Sequence, residues 1–311
     1  EPAQAHARRV LGLPERDADV LERVARRYRP PAWAQGCISG HDALFLYDLV
    51  RATRPRRALE IGVAAGGSTA LLLLALSDAG IPLIDRHARH ALNSFELHPN
   101  CYFDRARPVG SAIREIVPEL AHAAKLHVPG TAAIAARLFT ENPADFALID
   151  ADHRHPWPTA DLLTLLPALK PGAWVALHDI ALPEIARDHE RRTGERVAWG
   201  ERGAQVLFDC WPFEKVRGGG DGGKIGGRNI GAIRIPADRP VSADDLRAAI
   251  QEQWEAQPDD AVRRTLALEP RARTILIPDA PAPITQPATE VVALVAPHTV
   301  SGVSAAMMRL T

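Results

Sequence analysis

The fold is decided by residues 57–69, RALEIGVAAGGST, in which an apolar strand pattern breaks into a loop of small residues and continues directly into a leucine-rich helix pattern. Gly62 and Gly66 allow tight turns, and the free amide N–H groups at the helix start, reinforced by the helix dipole, favour a bound anion. A dinucleotide-binding turn would have glycine where this chain has Ala64. The loop therefore predicts a nucleotide-type site in which a compact carboxylate fits better than a pyrophosphate.

Strand and helix patterns alternate through the middle of the chain. The strand patterns cover 57–63, 91–97, 125–128, 145–150, 173–178 and 230–235. The runs FALID and WVALHD are apolar on both faces, as buried parallel strands are. This alternation predicts an α/β fold with a doubly wound, Rossmann-like sheet.

The patterns outside the sheet suggest three parts. Helix patterns precede the first strand, and after residue 236 the composition changes to helix patterns followed by a proline-rich stretch at 278–287. We expect an N-terminal helical segment at 1–31, a main domain at 32–236 and a small, weakly coupled C-terminal appendage of unknown role at 237–311. The glycine-rich run 218–227 is not preceded by a strand pattern, so we interpret it as a loop and not as a phosphate-binding site.

Composition excludes several classes of function. The chain has 311 residues with 37 Lys and Arg against 38 Asp and Glu, and the net charge of −1 gives no electrostatic reason to expect a nucleic acid or membrane partner. The predominance of Arg over Lys is typical of a GC-rich bacterial genome. Three unpatterned cysteines argue against a disulfide framework or a zinc site and favour a reducing cytoplasm.

Glu96 ends the second strand pattern, at the sheet edge where the glycine loop also lies. A carboxylate there can accept hydrogen bonds from the two hydroxyls of a ribose. The spacing of 34 residues from Gly62 exceeds the roughly 20 of a dinucleotide site. A surface glutamate at the end of an edge strand is the alternative interpretation.

Acids and imidazoles cluster around two further strand ends. Asp150 closes FALID and Asp179 closes WVALHD, and one strand–helix–strand unit brings both to the ligand-binding edge of the sheet. Asp152, His153 and His178 lie beside them in sequence. Carboxylates that repel one another and are costly to desolvate indicate a bound cation or a shared proton.

Four motifs in order, EIGVAAGGST, FELHPN, DFALIDADH and LKPGAWVALHD, resemble those of class I S-adenosylmethionine-dependent methyltransferases. The resemblance is strongest to metal-dependent O-methyltransferases of the catechol and macrocin/mycinamicin types. It implies an enzyme whose residues fall into three groups. Those around S-adenosylmethionine are Glu60, Gly62, Gly66, Ser68, Glu96, Ala132 and Asp150; those holding a divalent metal are Asp150, His178 and Asp179; and the general base is His153, with Asp152 as the second candidate.

The resemblance also suggests the reaction, which is O-methylation of a hydroxyl on a small molecule, such as a natural-product sugar or a phenol. Mg²⁺ is the expected metal, and an imidazole ligand at His178 would admit Mn²⁺ or Fe²⁺. N-terminal helices of this kind often dimerise in the resembling families, so the resemblance suggests a homo-oligomer as one option. The alternatives are a metal-independent N-, S- or carboxyl methyltransferase, an inactive methyltransferase fold used for binding, and, more distantly, a nicotinamide dehydrogenase.

Overall fold

The structure is a computed structural model that describes residues 18–38, 40–218, 229–242, 244–258 and 262–263. Its strands, in chain order, are β1 (Ala58–Ile61), β2 (Leu92–Phe95), β3 (Asn100–Cys101), β4 (Asp104–Pro108), β5 (Leu126–His127), β6 (Ala144–Ile149), β7 (Leu169–His178), β8 (Lys215–Arg217) and β9 (Ile230–Arg234). Seven of them form one sheet in the order β5-β2-β1-β6-β7-β9-β8, while β3 and β4 pair as a separate hairpin.

The sheet is mostly parallel, as the sequence predicts. The five strands from β5 to β7 run in one direction, and β9 pairs antiparallel with both β7 and β8. The doubly wound α/β prediction is confirmed, with each predicted strand in place. Strand β7 starts earlier than predicted, and the sequence patterns missed β8 and the hairpin.

Helices cover both faces of the sheet. They are α1 (Ala18–Arg27), α2 (Gly40–Thr53), α3 (Gly67–Asp78), α4 (Ile113–Ile116), α5 (Ala132–Phe139), α6 (Trp157–Leu165), α7 (Leu182–Thr193), α8 (Gly203–Cys210) and α9 (Arg247–Gln251), with 3₁₀ turns at Ala121–Ala123 and Leu166–Ala168. In the described part of the chain, no helix is long and apolar enough to cross a membrane.

Two apolar clusters hold the layers together. One joins the sheet to α2 and α3, and the other joins its opposite face to α5, α6 and α8. Strand β6 shows how the pattern works, because Phe146 and Leu148 enter the first cluster while Ala147 and Ile149 enter the second. Side chains of a strand alternate between faces, so a strand covered on both sides must be apolar throughout.

The segment after residue 236 belongs to this packing as far as the structure describes it. Val241, Leu246 and Ala256 are buried in the second cluster. These three residues of the expected C-terminal appendage thus pack with the sheet, whereas the domain boundary at residue 236 stays a prediction. The glycine-rich run beyond Gly218 and the proline-rich stretch lie outside the described residues.

Candidate active site

The glycine loop joins the ends of β1 and β6. Gly62 has φ of +92° and donates its N–H to Phe95 O at 2.9 Å, while Asp150 N–H donates to Ile61 O at 2.9 Å. A Cβ added at Gly62 would lie 2.6 Å from the carbonyl carbon of Asp150 and closer still to its oxygen. Only glycine fits this close approach of two backbones.

Glu60 lies beneath the loop with its carboxyl group fully buried. Thr69, in the first turn of α3, donates its hydroxyl to Oε2 of Glu60 at 2.7 Å, while Oε1 has no hydrogen-bond partner among the described residues. Burial raises the pKa of Glu60 to about 7. Gly66 and Ser68 lie above it at the start of α3, so the predicted loop residues surround one buried, incompletely satisfied acid.

Glu96 lies beside the same loop, as the sequence suggests. Its Oε2 accepts from the N–H groups of Val63 at 3.1 Å and Ala64 at 3.2 Å, and its Oε1 accepts from His98 N–H at 3.1 Å. Oε1 keeps a free lone-pair direction after this bond, because each carboxylate oxygen can accept twice. The carboxylate therefore fixes the loop and retains capacity for a ligand hydroxyl.

A second close backbone approach joins Glu96 to the segment before α5, where the family resemblance places Ala132 near the cofactor. Gly130 N–H donates to Glu96 O at 2.7 Å, and a Cβ added at Gly130 would lie 3.0 Å from Glu96 N. Thr131 then caps α5 by accepting from Ile134 N–H at 3.3 Å, which places Ala132 in its first turn. In the sequence, Pro-Gly-Thr directly before an apolar helix pattern was the signal that could have indicated this approach.

Asp150, His153 and Asp179 converge at the carboxyl ends of β6 and β7. His153 Nε2 lies 3.3 Å from Oδ1 of Asp150, and its Nδ1 lies 3.0 Å from Oδ2 of Asp179. One ligand atom from each of the three residues lies within 4.8 Å of the others. His178 Nδ1 also lies 3.3 Å from Oδ1 of Asp150 and 3.4 Å from Oδ1 of Asp179.

The charges of this cluster are strongly coupled. Burial opposes ionisation of Asp150, but His178 and His153 outweigh it and hold the pKa of Asp150 below its ordinary value. Burial likewise disfavours the imidazolium forms, yet Asp179 and Asp150 raise the pKa of His153 to about 9 and that of His178 to about 10. The two carboxylates thus stabilise a positive charge that lies between them.

Asp152, the second candidate base, pairs with Arg154. Its carboxylate accepts from Arg154 N–H and Nε–H, each at 3.0 Å, and forms an ion pair with the same guanidinium. In the described structure this ion pair occupies both of its oxygens. The base assignments themselves stay predictions.

Two residues that the sequence patterns did not indicate also reach the cluster. Asn229, just before β9, donates its amide N–H to Oδ1 of Asp179 and accepts from Ala181 N–H at 2.9 Å. Asp42, from α2, is 5% exposed, and its Oδ1 has no hydrogen-bond partner among the described residues. Burial raises the pKa of Asp42 to about 7, partly offset by His178.

The connection between α1 and α2 covers the start of α3. A Cβ added at Gly67 would collide with Sγ of Cys37, and a Cβ at Gly36 would lie 2.8 Å from the hydroxyl of Tyr102. Tyr102 is at the tip of the β3–β4 hairpin, so the hairpin and the α1–α2 connection meet above the loop. This contact gives the site a wall that lies outside the sheet.

Comparison with known proteins supports the enzymatic character of this arrangement. Residues 59–180 match a family model described as a methyltransferase domain. Over these residues the chain is similar to a methyltransferase domain. The match spans β1 to the residue after Asp179, and together with the sheet it confirms the predicted S-adenosylmethionine-dependent methyltransferase family and the prediction of an enzyme. Among curated proteins, no match to this chain was found.

Solved structures resemble this one only distantly. The O-methyltransferase TomG from Streptomyces achromogenes, involved in tomaymycin synthesis, is 19% identical with a TM-score of 0.43, covering 76% of this chain and 90% of that one. An O-methyltransferase from Bacillus cereus is 18% identical with a TM-score of 0.41, covering 74% and 97%. Cofactor-bound Rv0187 from MTB is 18% identical with a TM-score of 0.44, covering 77% and 99%. These distant likenesses carry no conclusion about the substrate.

Proposed function

We propose that the enzyme transfers the methyl group of S-adenosylmethionine to a hydroxyl of a small molecule, and that a divalent metal assists the transfer. The observation that supports this most is the direct backbone contact of Gly62 with Asp150. It joins the glycine loop to the Asp150–His153–Asp179 cluster. A methyl donor on the loop and an acceptor at the cluster would be close enough for in-line displacement.

The residues around the loop suit the cofactor. The buried Oε1 of Glu60 lacks a partner, and the ammonium group of the methionine moiety would satisfy it. The first amide groups of α3 suit the methionine carboxylate, and Glu96 suits the ribose diol. Ala132, in the first turn of α5 beyond Gly130, would border the adenine.

The acid cluster suits a divalent metal. Two carboxylates and an imidazole with their ligand atoms within 4.8 Å are a donor set that Mg²⁺, Mn²⁺ or Fe²⁺ accepts. A metal held there would orient the acceptor hydroxyl and stabilise its deprotonated oxygen. Asn229, through its hydrogen bond to Asp179, fixes the direction of that carboxylate.

The two imidazoles have separable roles. Because His153 makes the tighter set with both aspartates, we assign His153 to the metal and His178 to proton exchange. This reverses the roles that the family resemblance implies. If His153→Ala kept its Mn²⁺ affinity but lost turnover, the original roles, with His153 as base and His178 as ligand, would be the correct ones.

The test combines binding with turnover. S-adenosylhomocysteine and Mn²⁺ are titrated separately by calorimetry, and the labelled methyl group of S-adenosylmethionine is then offered to panels of catechols, other phenols and sugars, with and without EDTA. The proposal expects both ligands to bind and transfer to oxygen to stop on chelation. Transfer that survives chelation would favour the metal-independent methyltransferase. A protein that fails to bind S-adenosylhomocysteine would be an inactive fold.

A further inference from the structure

The C-terminal segment packs against the loop that carries His153, although it lies outside the residues matched by the methyltransferase family model. This loop, residues 150–156, connects β6 to α6. The N–H groups of Glu255 and Ala256 both donate to His155 O, at 2.8 and 3.0 Å. Two backbone hydrogen bonds therefore tie the segment to the loop close to the start of α6.

The carboxylate of Glu255 adds a third connection. Its Oε2 accepts from His155 N–H at 2.7 Å and from Arg202 N–H at 3.0 Å. Arg202 immediately precedes α8, so one carboxylate joins the loop, the helix start and the C-terminal segment. Without Glu255, the N–H of His155, whose residue is fully buried, loses its partner.

The start of α8 touches the peptide group of His153 itself. Gly203 N–H donates to His153 O at 2.8 Å, and a Cβ added at Gly203 would lie 2.6 Å from that oxygen. The backbone of His153 is thus in van der Waals contact with the helix start that Glu255 anchors. The imidazole on the other side of this residue faces Asp150 and Asp179.

We propose that Glu255 is a positioning residue that holds His153 in place between Asp150 and Asp179. The inference rests on the proposed function insofar as His153 serves the metal. Some residues orient a metal ligand without touching the metal. Their removal commonly weakens metal binding by about 10- to 100-fold. Glu255 acts through backbone groups at an exposed position, so we expect the lower end of that range.

The chain offers a matched control. Glu252 forms an ion pair with the side chain of Arg202 at 3.0 Å, but its carboxylate makes no hydrogen bond to the loop among the described contacts. Mn²⁺ affinity of the full chain is measured by electron paramagnetic resonance for Glu255→Ala, Glu255→Gln and Glu252→Ala. The single amide oxygen of Glu255→Gln can still accept from both N–H groups. Each change is repeated in a His153→Ala background, which makes a double-mutant cycle.

We expect Glu255→Ala to weaken Mn²⁺ binding by about 10-fold, and Glu255→Gln and Glu252→Ala by less than about 3-fold. In the His153→Ala background, Glu255→Ala should have almost no further effect. The inference is overturned if Glu255→Ala matches Glu252→Ala, or if its effect is equally large without the His153 imidazole, because the role would then be structural only.

A second readout separates this inference from the proposed function. If the wild-type protein binds no Mn²⁺, the proposed metal role fails, and amide hydrogen exchange in the loop decides the inference. Faster exchange at residues 151–155 in Glu255→Ala than in Glu252→Ala would support it. Equal exchange in the two variants would refute it.

Discussion

Gly62→Ala should damage the cofactor site and the acid cluster together, because Gly62 lies where they meet. Its φ of +92° is unfavourable for alanine, at a cost of about 1–2 kcal/mol. The new methyl group would lie 2.6 Å from the carbonyl carbon of Asp150, whereas unbonded carbons prefer about 3.5–4.0 Å. The end of β6 must therefore shift by about 1 Å, and such overpacking costs about 1–3 kcal/mol.

The expected loss is about 2–5 kcal/mol in the free energy of unfolding, a large part of the 5–15 kcal/mol typical of a domain. Gly194→Ala is the matched control, because Gly194 has φ of +76° but an added Cβ would meet nothing within 4 Å. It should lose about 1–2 kcal/mol for the backbone conformation alone. Urea unfolding measures both losses.

Binding measurements complete the test. Gly62→Ala should weaken both S-adenosylhomocysteine and Mn²⁺ in calorimetric titrations, since the displaced Asp150 serves the cluster and the displaced loop serves the cofactor. Gly194→Ala should leave both affinities unchanged. Equal stability losses in the two variants, with ligand binding intact in Gly62→Ala, would refute the close approach of the two backbones.

Three further predictions concern single side chains. Glu96→Ala should weaken S-adenosylhomocysteine binding by roughly 1–3 kcal/mol while sparing Mn²⁺ binding, and an unchanged calorimetric affinity would remove Glu96 from the cofactor site. Leu246 is fully buried in the C-terminal segment, so Leu246→Ala should lower the free energy of unfolding by about 2–5 kcal/mol. A loss near zero in urea unfolding would show that the segment is weakly coupled after all. His155 is fully buried, and burial lowers its pKa from 6.5 to about 4, so the unfolded chain takes up a proton first as the pH falls. Because of this residue, the free energy of unfolding should fall by up to about 3 kcal/mol as the pH is lowered from 6.5 to 4. His155→Leu should lose less stability over that range than the wild type, and parallel pH profiles would contradict the assignment.

The sequence was sufficient for six of the seven strands of the sheet and for the loop, because these features are encoded locally. Strands β1, β6 and β7 are short apolar runs bounded by turn residues, and the loop after β1 has its own glycine pattern. The acids at the strand ends follow from the rule that parallel strands present their carboxyl ends at one edge. These features need no knowledge of distant contacts.

Other parts of the site depend on contacts that no local pattern records. Asn229 reaches Asp179 because β9 runs antiparallel to β7, which brings its first residues to the carboxyl edge. Asp42 reaches the cluster through the packing of α2. The C-terminal segment was predicted to be separate because the composition changes after residue 236 and a proline-rich stretch follows, yet Leu246 is fully buried. In each case tertiary packing decides the position, and composition gives little indication of it.

The placement of β9 between β7 and β8 has a consequence for biosynthesis. Strand β8 is made before β9 but pairs with the sheet through β9, so the sheet is completed out of the order of synthesis. On the ribosome, the edge of β7 remains open until the residues around 230–234 have emerged. An unpaired, apolar strand edge readily joins other chains. A translational pause between residue 217 and residue 230 would therefore prolong the interval in which nascent chains can aggregate, and synonymous codons in that interval are expected to affect the yield of folded enzyme.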